Sequence, residues 1–225
     1  MNKIKKTGTL ALAGLLGTAL LAGGAFAYFT DADSAVNTFT VGSVKIDLQE
    51  PGFDEDEGVN ITPGKTIEKD PKILNTGNND AFVYMQIGIP TANIVTVDAN
   101  GIKNSAADTE LFSCTINNGW TQIGSKETKG ALNVYTYAYT GDSSSTLERV
   151  AAGDLSGSLF DSVTFANIVE DQGLENTQKE ITVTAFAIQA DGLSTDTPDG
   201  AWQIIKNQAP AADDRTGEDE STDIA

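Results

Sequence analysis

Short runs that alternate apolar and polar side chains, cut apart by turn residues, constrain this chain more than any other feature. Residues 181–189 read ITVTAFAIQ, with Ile181, Val183, Ala185 and Ala187 on one side of an extended strand and Thr182, Thr184, Phe186 and Ile188 on the other. Residues 81–89, AFVYMQIGI, alternate Val83, Met85, Ile87 and Ile89 against Phe82, Tyr84 and Gln86, so both faces carry apolar load. Further strands are expected over 38–48, 65–74, 93–97, 112–117, 120–123, 132–140 and 159–165. Gly42-Ser43 slips the face of the first and marks a bulge or bend. Pro71 splits the second or puts it at an edge. Asn100-Gly101 marks a hairpin, 106–112 one or two helical turns, and 198–205 a short helix carrying Trp202. Eight to ten short strands without long helical periods predict an all-β chain: an antiparallel β-sandwich, jelly-roll-like, with one or two short helices in its loops.

The N-terminus has a different grammar. Lys3, Lys5 and Lys6 precede an apolar stretch from Leu10 to Ala22, and Ala25 and Ala27 sit at −3 and −1 of a cut before Tyr28. That is the order of a secretory signal, residues 1–27. Residues 7–30 carry no charge and are long enough to cross a ~30 Å hydrocarbon core, so an uncleaved anchor is the competing reading. Five glycines and the short apolar run favour cleavage. Removing 1–27 takes three lysines and no acid, moving the formal charge from −18 to −21. Such a chain is repelled by phosphate backbones, so nucleic acid is not an expected partner, and no membrane attachment is expected after cleavage. The sandwich is expected over 44–206, followed by an acidic tail over 207–225 with too little apolar content to fold.

The residue inventory excludes several chemistries. No histidine is present, which removes Ser-His-Asp and Cys-His catalysis and HExxH zinc sites. Cys114 is the single cysteine, so no intrachain disulfide or thiolate zinc cluster is available, and in LFSCTI it reads as a small buried hydrophobe. No phosphate-cradling glycine loop is found. Paired carboxylates remain possible, but nothing singles out a pair. Asp54, Asp56 and Glu57, in the run DEDEG, are a candidate calcium or magnesium site, with a solvated charge run as the plain alternative. No other cofactor is expected. Tyr84, Tyr135, Tyr137 and Tyr139 suggest a carbohydrate platform. The last three share a strand face by period two, which points rather to a half-buried packing face with phenol tips at solvent.

Three blocks, YFTDADSAVNTFTVGSVKIDL from Tyr28, NITPGKTIEKDPKILNTGNNDAFVYMQI from Asn60, and ITVTAFAIQADGL with Trp202 nearby, resemble the TasA/camelysin family of Gram-positive bacteria. The resemblance implies processing by a SipW-type signal peptidase and a jelly-roll domain secreted to the cell surface. It further implies assembly there into biofilm matrix fibres, head to tail with copies of itself and with an anchor or accessory matrix protein as a possible partner. In that family the mature N-terminal segment of one subunit completes the sheet of the next. Here the donor would be residues 28–43, with Tyr28, Phe29, Val36 and Phe39 as anchors, and the alternative is that this segment pairs within its own chain. Camelysin-type relatives are also described as surface metallopeptidases, a role that the missing histidines oppose. A non-polymerising adhesin or accessory subunit is the remaining alternative.

Overall fold

The computed structural model describes residues 43–174 and 177–208. Ten strands and one helix are laid down in this order: β1 (Ile46–Gln49), β2 (Thr66–Glu68), β3 (Lys72–Asn75), β4 (Ala81–Ile94), β5 (Ala107–Glu110), β6 (Phe112–Cys114), β7 (Trp120–Lys129), β8 (Leu132–Tyr139), β9 (Ser162–Phe165), β10 (Thr182–Gln189) and α1 (Pro198–Gln208). A 3-10 turn covers Glu55–Gly58. Among the described residues every strand pairing is antiparallel.

One layer is a five-stranded sheet in the order β10-β4-β8-β7, with β5 paired to the far end of β4. Two smaller sheets, β1-β3 and β2-β9-β6, make the other layer. They are continuous because the chain between Asp154 and Asp161 keeps bonding across them. Asn75 N–H donates to the Asp154 carbonyl at 2.9 Å, Ser156 N–H to Ile73 at 2.8 Å, Leu159 N–H to Pro71 at 3.0 Å and Lys69 N–H to Asp161 at 3.2 Å. Pro71 thus splits the 65–74 run into β2 and β3 without losing the layer. It has no N–H to offer, yet its carbonyl is used.

The two layers meet in one apolar core. Val83, Met85, Ile87 and Ile89 of β4 face Ile67, Ile73, Phe112, Val163 and Phe165 of the second layer. The other face of β4 is buried too: Phe82 and Tyr84 join Ile188, Leu147 and the helix residues Ala201, Trp202 and Ile205 in a second cluster. Trp202 lies between Tyr84 and Phe186, its ring centroid 5.2 and 5.1 Å from theirs. The Tyr84 hydroxyl donates to the Pro198 carbonyl at 2.9 Å, which satisfies a phenol that is otherwise wholly buried. The two-faced apolar pattern of 81–89 therefore has a direct cause: β4 is roofed on both sides.

Residues 106–112 depart from expectation, forming strands β5 and β6 rather than helical turns. The reason lies in β4, which runs past Pro90 to Ile94 and there needs a partner. Thr91–Ile94 pair with Glu110–Ala107, and Asn93 Nδ2 donates to Asp108 Oδ1 at 3.0 Å. Pro90 sits between the stretch paired to β10, which ends at Gly88, and the stretch paired to β5. The Asn100-Gly101 hairpin is present. Asp98 Oδ1 accepts from the Asn100 and Ile102 N–H groups, and Gly101 has φ +80, which a side chain would disfavour. Gly42 and the bend expected there lie outside the described residues, as do most of the 207–225 tail and the N-terminal segment.

Candidate functional site

Ala25, Ala27, Tyr28, Phe29, Val36 and Phe39 lie outside the described residues. The three carboxylates expected to hold a cation are described, and each is exposed. Asp54 caps the 3-10 turn, its Oδ1 accepting from the Asp56 N–H at 3.0 Å. Glu57 is engaged through its main chain, whose carbonyl accepts from Lys65 Nζ at 2.7 Å. Among the described residues no three or more His, Cys, Asp or Glu side chains are placed to hold a metal ion.

The tyrosines do not form one platform. Tyr84 points into the cluster under α1, whereas Tyr135, Tyr137 and Tyr139 pack on the core between the layers. Tyr137 is buried, and the Tyr135 hydroxyl donates to Glu110 rather than standing free at solvent. Burial first, then the Cys114 and Glu110 charges, push the Tyr137 phenol up to about 12. Cys114 is half-buried, and burial with the Glu110 charge pushes its thiol up to about 11. A thiol so placed stays protonated and behaves as the small hydrophobe that its sequence context indicates.

What the described residues leave incomplete is one side of the sandwich, where β10 and β1 are the outermost strands of the two layers. Their Cα atoms approach within 8 Å, yet no bridge joins them. Along this side the inward-facing residues are only half-buried: Val44, Ile46 and Leu48 from the β1 side, and Ile181, Val183, Ala185 and Ala187 from the β10 side. Residues of the same kind on β4 are fully buried. The row is apolar and lined by small side chains on β10, so it has room for further side chains above it.

The chain enters this side through a clamp. Ser43 N–H donates to Asn78 Oδ1 at 2.7 Å, and Asn78 N–H returns to the Ser43 carbonyl at 3.2 Å. The Thr76 and Gly77 N–H groups both donate to the Lys45 carbonyl, at 2.8 and 3.0 Å. A Cβ on Gly77 would stand 2.5 Å from the Ser43 carbonyl oxygen and 2.9 Å from the Lys45 nitrogen, so only glycine admits this approach. Beneath it Asn75 is wholly buried and fully bonded. Its Nδ2 donates to the Asn79 and Val150 carbonyls, both at 2.9 Å, and its Oδ1 accepts from Gly77 N–H at 3.0 Å. Sequence reasoning took NTGNND as a turn and missed its second task. The signal was the density of side-chain amides beside a glycine, more than a plain turn needs.

Three comparisons with known proteins bear on identity. A search of curated proteins found no match. Among solved structures, the carbohydrate-binding module CBM3b from the cellulosomal cellobiohydrolase 9A of Clostridium thermocellum aligns at 17% identity over 70% of this chain and 98% of the module, with a TM-score of 0.32. At that level of likeness nothing about binding is carried over. Residues 3–109 match the family model of camelysin metallo-endopeptidase. The peptidase in that description calls for a catalytic metal, and the donor set does not fit one: the chain has no histidine, its one thiol is half-buried and protonated, and among the described residues the carboxylates are not gathered. The match runs from the basic start to β5, and over that stretch, just under half of its length, the chain is similar to the camelysin family.

Proposed function

We propose that this protein is an exported structural subunit that polymerises into extracellular matrix fibres, the N-terminal segment of one copy completing the sandwich of the next. The carrying observation is the β1/β10 side, which no described residue covers, an apolar row at strand edges that would be buried by one added strand. In this reading residues 1–27 are removed by a SipW-type signal peptidase before Tyr28, residues 28–43 are the donor, and 44–206 form the domain. Until the cut, the donor is tethered to the apolar signal and cannot reach a neighbour, so processing switches assembly on. The resemblance to the camelysin family, whose match begins in the basic and apolar N-terminal stretch, supports export. Among the described residues no helix is long and apolar enough to cross a membrane.

The protein is a non-enzyme in this reading, because its residue types do not suit catalytic zinc. Hydrolysis of casein by the pure protein, abolished by a chelator, would revive the peptidase. The assembly reading is tested by comparing a form that begins at Tyr28 with one that begins at Ser43 and keeps the clamp. Filaments in negative stain, with rising light scattering, are expected from the Tyr28 form alone. Persistent monomer from both would contradict it and favour an adhesin or accessory subunit.

A further inference from the structure

We infer that the side of the sandwich away from β1 and β10 holds a binding cleft for a neutral pyranose sugar, one unit of a glycan. The cleft uses no residue of the β1/β10 side, so it goes beyond the assembly reading and does not depend on it.

Its place follows from the sheets. Strand β7 ends the larger sheet at the edge away from β10, and β6 ends the second layer at the edge away from β1. Beside these two strands, residues 116–119, which lead into β7, and residues 140–144, which follow β8, line a cleft of about 640 Å³. That volume lies within the range of small-ligand sites. The two loops are tied together at their base. The Gly119 carbonyl accepts from the Thr140 and Gly141 N–H groups, at 2.8 and 3.2 Å. Ser143 Oγ braces the second loop by accepting from the Ser145 and Thr146 N–H groups, both at 3.2 Å. The walls are thus set before a ligand arrives, which lowers the entropic cost of binding.

The floor is apolar and the rim is not. Buried Trp120 and Tyr137, with half-buried Ile116, make the floor. The Trp120 indole N–H is spent on the Gly157 carbonyl at 3.2 Å, and its ring leans on Tyr139 with centroids 5.1 Å apart. It therefore offers the cleft carbon surface rather than a donor. Strand β7 sends Trp120 into the core between the layers and Ile123 into the cluster under α1, so Gln122 stands on the Trp120 side, opposite Tyr137 in register. Core packing would put an apolar residue there, and the chain puts an exposed amide. Asn118 and Asp142, also exposed, stand with it on the rim. Among the described residues no side-chain hydrogen bond engages any of the three.

This chemistry selects the ligand. A planar amide or carboxylate can bond neighbouring hydroxyls of a sugar ring, while the C–H face of that ring lies on aromatic carbon. No Lys or Arg lines the cleft, so a phosphate, sulfate or uronate finds no cation there and meets Asp142 instead. A wholly apolar ligand would strip water from the amides and return no hydrogen bond. A neutral polyol with one apolar face satisfies both floor and rim.

Saturation-transfer NMR on the mature chain tests this, because it reads ligand protons whether the protein is monomeric or assembled. The probes are methyl glucoside, the tetramers of glucose and of N-acetylglucosamine, and glucuronate. Transfer to the ring C–H protons of a neutral sugar is expected, with weaker transfer to glucuronate. Gln122→Ala combined with Asp142→Ala should weaken binding about ten-fold through the loss of two polar contacts, with an unchanged melting temperature. Asn118→Ala with Asp142→Ala repeats that arm, should the first pair fold poorly. Binding of the glucose tetramer alone supports a secreted polysaccharide as the source, and binding of the N-acetylglucosamine tetramer alone supports a cell-wall glycan. No transfer to any neutral sugar, equal transfer to glucuronate, or binding unchanged in both double variants would overturn the inference.

Discussion

The two sides of β10 are finished in different ways. Its outer face is closed by the chain itself: Phe186 and Ile188 lie under α1, with Trp202 wedged against Tyr84. Its edge and inner row are closed by nothing among the described residues, and Val183, Ala185 and Ala187 stay half-buried. A fold able to spend a helix on one face of a strand could have covered the edge as well. In the proposed reading the difference separates two jobs, stability on the helix side and association on the open side.

If that separation is right, damage to the helix side should unfold the monomer. Trp202→Ala removes the side chain that bridges Tyr84 and Phe186, and a loss of about 3–5 kcal/mol is expected from urea unfolding, as for other large aromatic truncations. A next-smaller effect falls on the clamp, which belongs to both jobs. Asn75→Ala strips the half-buried Asn79 carbonyl and the buried Val150 carbonyl of a donor and should cost about 2 kcal/mol. It should also shorten hydrogen-exchange protection at the Thr76, Gly77 and Asn78 amides.

On the open side the expected signature is reversed. Ala185→Lys places an inward charge at a half-buried edge position, where the long stem can run out to solvent. Monomer stability should change by under about 1 kcal/mol, while filament formation is lost. If this variant still polymerises, the comparison of the two sides fails.

The smallest effect is expected in acid. Burial by itself would raise the Asp70 carboxyl, but the hydrogen bond from Lys72 Nζ at 2.8 Å and that from the Gly52 N–H at 2.7 Å hold it below its ordinary value of 3.8. A carboxyl lowered in the folded state stabilises it above pH 3.8, and that contribution is lost as pH falls through the lowered value. Because Gly52 follows β1, acid should loosen the open side, and Asp70→Asn should flatten the acid limb of a thermal-melt series.

Much of this was legible in the alternation. The double apolar load of 81–89, the break at Pro71, the Asn100-Gly101 hairpin and the helix with Trp202 follow from local chemistry and are found. The strand β5 was not legible, because ADTE carries no strand signal and is recruited only by the overrun of β4 past Pro90. The parting of Tyr84 from Tyr135, Tyr137 and Tyr139 depended on which strand face looks toward α1, a tertiary fact. The open side was illegible for a related reason. ITVTAFAIQ reads as a two-faced strand whether or not something pairs beside it, since hydropathy reports faces and says nothing of edges.

The central claim, that the open side is an acceptor and the N-terminal segment its donor, is tested most directly by filament length in mixtures. The form beginning at Ser43 can accept a donor but supply none, so it should terminate growth. Added in small fractions to the Tyr28 form, it should shorten filaments in proportion to its share, and Ala185→Lys in the Ser43 form should remove that effect. Filament lengths that do not respond to the Ser43 form would contradict the account.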